Sequence, residues 1–429
     1  MKVQIETHGC KLNMADSQRL ASEFFASGFA LIESGEAPDV FVLNSCTVTS
    51  TADRKARQAL SAARRRFPEA LIVATGCYPE RDESTVGALS GVDLVLNNRH
   101  KPDVVRQVAL RLGVPFTPRE GEELPALRET LLGRTRASVK IQEGCDQVCA
   151  YCIVPRVRGR ERSIPAETIV TNVNQLAELG CSEVVLTGTQ LGTYGFDLEQ
   201  IDLAGLLRRI MRETSMPRVR VSSLQPLEIS TDLLSVWAES GGRLCPHFHI
   251  PLQSGSDPVL ARMRRRYNSE QFLAAVARVR SAAPECSVTT DVIAGFPGET
   301  DADHEATVAL VRESQFTNAH VFPFSKRPAT SAAHFEDQID AATRAHRAAE
   351  IRQITARQAT QFRLASIGQL RLVLWEGSRG ATGLTDNYLR VRLEDADSAA
   401  SWAGDGDGLI EQVKLTSLAR DGIMTAVPA

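Results

Sequence analysis

The sequence has no apolar run near the ~20 residues that a helix needs to cross a bilayer. Its first residues, Met-Lys-Val-Gln-Ile-Glu, lack the apolar stretch of a secretory leader. These absences lead us to expect a cytoplasmic protein with no membrane partner. A strong charge of either sign is also missing. The 49 Lys and Arg against 52 Asp and Glu leave a net charge of −3, so a polyanionic partner would have to be held by local patches. An even cysteine framework is absent too. Nine cysteines in 429 residues argue against a disulfide scaffold and suit thiols kept reduced as metal ligands. What remains is ordinary for a globular protein, 43% hydrophobic and 24% charged. The chain is long enough for two or three domains with sizeable cores.

Three of the thiols lie close together in Cys145-Asp-Gln-Val-Cys149-Ala-Tyr-Cys152. The alternation Ala137-Ser-Val-Lys-Ile-Gln142 predicts a strand before them, and Glu143-Gly144 turns the chain into the loop. This spacing offers one thiolate to each of three irons of a [4Fe–4S] cube, and no neighbouring cysteine closes the fourth. Structural zinc is the alternative, but such sites normally close with four ligands on paired arms. Neither a second arm nor a nearby His is present.

The N-terminal third alternates strand and helix. Strands are predicted at Val3–Thr7, Asp39–Leu43, Ala70–Ala74 and Val92–Leu96, with helices over Ala15–Ser27 and Ala52–Phe67. The order implies a parallel, doubly wound sheet. Cys10, Cys46 and Cys77 each fall just past the carboxyl end of a strand, directly after Gly or Ser. Ligands collect along that edge of an open parallel sheet. Singly, each cysteine reads as a small core hydrophobe; together they point to a second metal site with one open iron.

With Cys145, Cys149 and Cys152 in a C-x3-C-x2-C loop, and an aromatic-Cys pair at Tyr151-Cys152, the chain resembles the radical S-adenosylmethionine (SAM) enzymes. The motifs His8-Gly-Cys-Lys-Leu-Asn13 and Asn44-Ser-Cys-Thr-Val-Thr49 narrow the resemblance to the methylthiotransferases. Lys11 favours the threonylcarbamoyladenosine tRNA group over relatives with Gly-Cys-Gln-Met-Asn or Gly-Cys-Pro-Lys-Asn. The resemblance implies two [4Fe–4S] clusters, on Cys10/Cys46/Cys77 and Cys145/Cys149/Cys152, and two roles for SAM. One SAM supplies the methyl group to a sulfur held at the first cluster. The other, cleaved at the second, gives the radical that opens C2 of a modified adenine beside the anticodon. It also implies SAM contacts at Gly188, Thr189, Gln190 and Gln253. The implied partners are a tRNA anticodon stem-loop, a low-potential electron donor and a sulfur source. Isopentenyladenosine in tRNA and a ribosomal protein are alternative substrates within the family. A non-catalytic iron–sulfur RNA-binding protein is the alternative from another class.

The expected domains are an α/β methylthiotransferase domain (1–113), a linker (114–133), an incomplete (β/α) radical SAM barrel (134–364) and a small antiparallel β-barrel of the RNA-binding TRAM type (365–429). Val114 to Glu123 carries the Pro, Gly and charge of a linker, and the acidic insert Asp395–Gly408 reads as an exposed loop. His247 and His249 have metal-ligand spacing, but a satisfied structural role is expected. Arg262-Met-Arg-Arg-Arg-Tyr267 reads either as a solvated helix end or as a phosphate contact. The arginines of the helix Ala341–Ile367 read mostly as solvated charge. Thr300 with Asp303 is an N-cap. Ala329 stands where the family usually has Gly, and Cys181, Cys245 and Cys286 are left as core or surface thiols.

Overall fold

Strands β1 (Lys2–Thr7), β2 (Ala30–Leu31), β3 (Val40–Ser45), β4 (Leu71–Gly76) and β5 (Leu94–Asn97) form one sheet in the order β2-β1-β3-β4-β5. Every pair is parallel. β3 and β4 are buried along their whole length, which is why their apolar runs are unbroken. Helix α1 (Lys11–Ala26) lays Leu20 and Phe24 against Val3, Val40 and Val42 on one face. Helix α2 (Ser50–Arg66) lays Ala56, Leu60 and Ala63 against Phe41, Leu43 and Ile72 on the other. The sheet is doubly wound, as expected. α1 starts earlier than its apolar spacing predicts, because Cys10 itself takes the extended N-cap conformation. Thr49 caps α2, its hydroxyl accepting from Ala52 N at 3.2 Å, a contact of a kind that contributes about 1 kcal/mol. The computed structural model describes residues 1–33, 35–116, 131–376, 382–394 and 408–429. Most of the linker and nearly all of the acidic insert lie outside the described residues.

The second domain is a curved parallel sheet. β6 (Ala137–Lys140) is followed by the short antiparallel pair β7 (Gln142–Glu143) and β8 (Arg162–Ser163), which frames the cysteine loop. Then come β9 (Glu183–Thr187), β10 (Arg218–Val221), β11 (His247–His249), β12 (Ser287–Ala294) and β13 (Asn318–Pro323), with helices between most of them. β6-β9-β10 and β11-β12-β13 pair in parallel. Isolated bridges at Val219–Leu244 and Ser223–His249 join the halves into an incomplete six-stranded barrel. α1 of the first domain covers the edge strand β6, where Ser138 N donates to Gln18 Oε1 at 2.8 Å. Thr300 caps the helix Asp301–Ser314 with Asp303 as its reciprocal partner.

The third domain, β14 (Leu370–Glu376), β15 (Thr382–Thr385), β16 (Arg390–Leu393), β17 (Ile410–Leu418) and β18 (Met424–Pro428), is a closed five-stranded barrel. It departs from the purely antiparallel expectation at one seam, where β16 and β18 run parallel. It docks on the incomplete barrel of the second domain through buried arginines. Arg218 and Arg220 share Glu183, Arg218 through a 2.5 Å bond and Arg220 through one of 2.9 Å. Their remaining N–H groups donate to the carbonyls of Leu372, Leu384, Thr385 and Asp386. Tyr388 stacks on His247 with ring centroids 4.3 Å apart.

The solvated reading of the long-helix arginines holds at the exposed Arg352 and Arg357 and fails at the buried Arg347. Arg347 is buried on Glu299 and Asp301, while Arg344 and Arg352 donate to the carbonyls of Phe324 and Val321. The helix Ala341–Ala365 lies against the barrel's last strand and loops, whose free carbonyls take up these charges. Ala329 keeps the backbone that a glycine would favour, with φ +68. A left-handed conformation costs a residue with a side chain on the order of 1 kcal/mol. Ala329→Gly is therefore expected to stabilise the protein by about 1 kcal/mol, less the added entropy of the unfolded chain, read as a higher urea midpoint.

Candidate active site

The loop of Cys145, Cys149 and Cys152 is held by the backbone on both sides. Ala150 N donates to Met263 O at 2.9 Å, and Ala150 O accepts from Ala332 N at 2.8 Å. Gly144 at its entry has φ +76, and a Cβ there would lie 1.9 Å from Arg160 O, so only glycine fits. Donors already face the sulfurs: Gln147 N reaches Cys145 Sγ and an Arg265 guanidinium nitrogen reaches Cys149 Sγ, both at 3.4 Å. Arg265 is thus neither a solvated charge nor a phosphate contact. Arg264 sits at φ +60, which ends the helical turn and lets the next side chain swing toward the loop. Arg262 is likewise engaged, paired with Asp337.

The other three cysteines meet as the strand ends imply. Cys10 is exposed, whereas Cys46 and Cys77 are buried. They lie near enough for Cys77 to raise the proton affinity of Cys10, and for Cys10 and Cys77 to raise that of Cys46, both after the larger effect of burial. A Cβ on Gly9 would fall 2.5 Å from Cys46 Cβ, and one on Gly76 2.5 Å from Ser45 O. Glycines before two of the thiols therefore allow the close approach. Val48 N donates to Cys46 Sγ at 3.4 Å, and Arg158 Nε donates to Cys77 Sγ at 3.3 Å. Arg158 comes from the radical SAM domain, six residues after Cys152, so one side chain ties the two thiol sets together. Sequence reasoning missed it, as it missed Asp16, which Arg158, Lys101 and Lys140 surround.

Burial pushes the Cys46 and Cys152 thiols up to about 12 and Cys145 up to about 11. These groups are protonated at neutral pH until a metal displaces the proton. Among the described residues no three His, Cys, Asp or Glu side chains gather closely enough to hold a single metal ion. Each set offers three thiols with N–H donors already on the sulfurs, which matches a cube that leaves one iron open. The donor sets fit [4Fe–4S] clusters. Cys181, Cys245 and Cys286 are buried apart from both sets.

The expected SAM contacts flank the second loop. Gln142 Oε1 accepts from Thr189 N and Gln190 N at 2.8 and 2.9 Å, so these two amides are occupied. The carbonyls of Gly188 and Thr189 accept nothing among the described residues, and Thr189 Oγ1 is buried without a partner. This lining suits an ammonium group. The Gln190 side chain is already engaged by Glu228 and Gln225, which makes it a support for the segment. Gln253 is buried at φ +64, its N–H bonded to Asp291 O at 2.8 Å. Such a backbone state in a non-glycine residue is typical of functional sites. Nearby, burial pushes Glu161 up to about 7, and one of its carboxyl oxygens has no partner.

Lys11 opens α1 beside the first thiol set. It follows Cys10, makes no hydrogen bond or ion pair among the described residues, and is pushed down to about 8, first by burial and then by Arg220 and Arg136. The residues it senses, with Glu183 and Asp291, come from the start of β6 and from β9, β10 and β12. Its ammonium therefore faces the barrel interior. His247 and His249 both bond Thr289 Oγ1, and His249 pairs with Asp291 at 3.3 Å. His249 is satisfied by these bonds, whereas His247 Nδ1 is buried without a partner among the described residues.

A three-thiol loop opening a parallel half-barrel defines a radical SAM enzyme, and the Radical SAM superfamily model matches residues 139–311. The model of Uncharacterized protein family UPF0004 matches residues 2–97. The threonylcarbamoyladenosine tRNA methylthiotransferase MtaB of Bacillus subtilis is 36% identical over 91% of this chain and 89% of its own. That of Aquifex aeolicus is 34% identical over 92% and 97%. The chain belongs to the tRNA methylthiotransferase family, alongside these threonylcarbamoyladenosine enzymes. The tRNA-2-methylthio-N(6)-dimethylallyladenosine synthase of Syntrophobacter fumaroxidans is also similar, 36% identical over 88% of this chain and 85% of its own. Among solved structures, the radical S-adenosylmethionine methyltransferase TsrM from Kitasatospora setae shares the fold, with a TM-score of 0.56 and 14% identity over 77% of this chain and 76% of that one. No helix among the described residues is long and apolar enough to cross a membrane.

Proposed function

We propose that the chain methylthiolates C2 of N6-threonylcarbamoyladenosine beside the anticodon of tRNA. In this reading Cys10, Cys46 and Cys77 hold one [4Fe–4S] cluster, and Cys145, Cys149 and Cys152 hold the other. Gly188, Thr189 and Gln253 face SAM, with Gln190 behind them. When bound, the clusters and SAM supply a deoxyadenosyl radical and the thiomethyl group. The chain's own residues bring the two thiol sets together and position the base between them. A low-potential donor supplies electrons, and a separate source supplies sulfur.

Relatives acting on the two modified adenosines share similar identity with this chain, so the substrate argument rests on individual side chains. The observation that carries it is the Lys11 ammonium beside Cys10, facing the barrel interior with no partner among the described residues. A threonylcarbamoyl group carries a carboxylate, which would satisfy that cation. A dimethylallyl group would bury it unpaired beside an alkyl chain, at considerable cost. The test offers both modified anticodon stem-loops in competition and weighs the products. The threonylcarbamoyl substrate is expected to dominate. Lys11→Gln should lower kcat/KM on it by roughly 10- to 100-fold, the range for loss of a charged hydrogen bond, and more than it lowers reductive SAM cleavage. Preferential conversion of the dimethylallyl stem-loop would overturn the substrate while leaving the reaction type intact.

A further inference from the structure

Arg158 makes four polar contacts at the seam between the first two domains. Its Nε donates to Cys77 Sγ at 3.3 Å. One terminal nitrogen donates to Asp16 Oδ2 at 2.6 Å and Glu143 Oε1 at 2.7 Å, and the other to Asn13 Oδ1. Asp16 also accepts from Lys101 and Lys140, both at 2.8 Å, and Lys140 reaches Glu143 at 3.1 Å. Three buried or half-buried cations, with the exposed Arg162 3.6 Å from Glu143, thus outnumber the two carboxylates. Arg158 is the one of the three that touches sulfur. A knot this buried fixes the guanidinium, since rotating it away would strand its own buried charge and take one of three cations from Asp16.

We propose that Arg158 is a positioning residue of the Cys10/Cys46/Cys77 centre and raises its reduction potential by directing a fixed positive charge and an N–H donor at the Cys77 sulfur. Net charge and hydrogen bonds to ligand sulfurs are among the main determinants of an iron–sulfur potential. A donor draws electron density from the sulfur, and a cation favours the more negative, reduced state. Because Arg158 belongs to the helix Val154–Arg158 that follows the radical SAM loop, this potential is set only while the two domains are docked. The inference rests on the reading of Cys77 as a cluster ligand.

The test uses the full chain with Cys145, Cys149 and Cys152 replaced by alanine, so that a single cluster remains. After anaerobic reconstitution its midpoint is measured by electron paramagnetic resonance at poised potentials. Arg158→Gln is expected to shift the reduced-to-oxidised ratio at least tenfold toward the oxidised form, about 59 mV for a one-electron couple. Arg158→Lys, which keeps the charge but loses the fork, should fall between Gln and the parent. Lys101→Met removes a charge from the same knot without touching sulfur and should lower the midpoint by less than Arg158→Gln does. If Arg158→Gln does not fold, Arg158→Lys decides the matter, a midpoint equal to the parent's overturning the inference. A cluster present with full iron and an unchanged midpoint in these variants overturns the inference. A parent that binds no second cluster instead overturns the ligand reading.

Discussion

Replacing Cys10, Cys46 and Cys77 together by alanine is expected to leave a protein that still converts SAM to 5′-deoxyadenosine under reducing conditions but yields no methylthio product. Iron should fall from about eight to about four atoms per chain, one cube remaining of two. The expectation follows from the division of the six thiols between two domains. The loop of Cys145, Cys149 and Cys152 is pinned by Met263 and Ala332, while Cys77 packs on Ile153 and Val157 just after it. The converse replacement should retain the other cube and abolish cleavage. Full iron in the N-terminal variant would show that the strand-end thiols do not share a metal. Loss of cleavage together with product would mean that the sites depend on one another or that the variant misfolds, and circular dichroism separates these outcomes.

Glu183→Gln should cause the largest loss of stability of any single substitution considered. Glu183 is fully buried between Arg218 and Arg220, and the two arginines carry the carbonyl contacts that seat the C-terminal barrel. Removing the carboxylate leaves two buried cations uncompensated, a defect that costs roughly 3–5 kcal/mol. Thermal unfolding should move to lower temperature, and limited proteolysis near Gly368 should release the C-terminal domain. The pH dependence has a definite sign. Burial alone would raise the Glu183 pKa, but Arg220 and Arg218 overcome it and hold it at about 2, below the ordinary 4.5. A carboxylate depressed in this way contributes its full stability above its ordinary pKa. The contribution is lost as pH falls from about 4.5 toward about 2. A variant as stable as the parent at pH 7, or one with the same acid transition, would show that the arginines find other partners.

The sequence exposed the thiols because each sits at a position with a local signature: three within one loop, and three directly past strand ends after Gly or Ser. The strand–helix alternation likewise gave the doubly wound sheet, since β3 and β4 open with the apolar runs Val40–Leu43 and Leu71–Ala74. What stayed hidden were the partners of charged side chains. Arg158, Arg265 and Arg347 all lie in stretches that look like solvated surface, and nothing local to them says that another segment will cover them. Asp16 is equally opaque, because a polar residue on α1 is ordinary until another domain packs on that face. The parallel β16–β18 seam escaped for a related reason. Alternation fixes which face of a strand is buried, while the direction of its neighbour depends on how distant segments return.

α1 serves several purposes at adjacent positions: Cys10 caps it, Lys11 opens it, Asn13 and Asp16 engage Arg158, and Gln18 binds the edge of β6. For protein engineering this means that the helix is keyed to the barrel of its own chain. Exchanging the N-terminal domain between relatives of different substrate choice would import a new residue at position 11 but an unmatched set of docking contacts. A working chimera would have to carry Lys140, Glu143 and Arg158 across with the helix that they were shaped to meet.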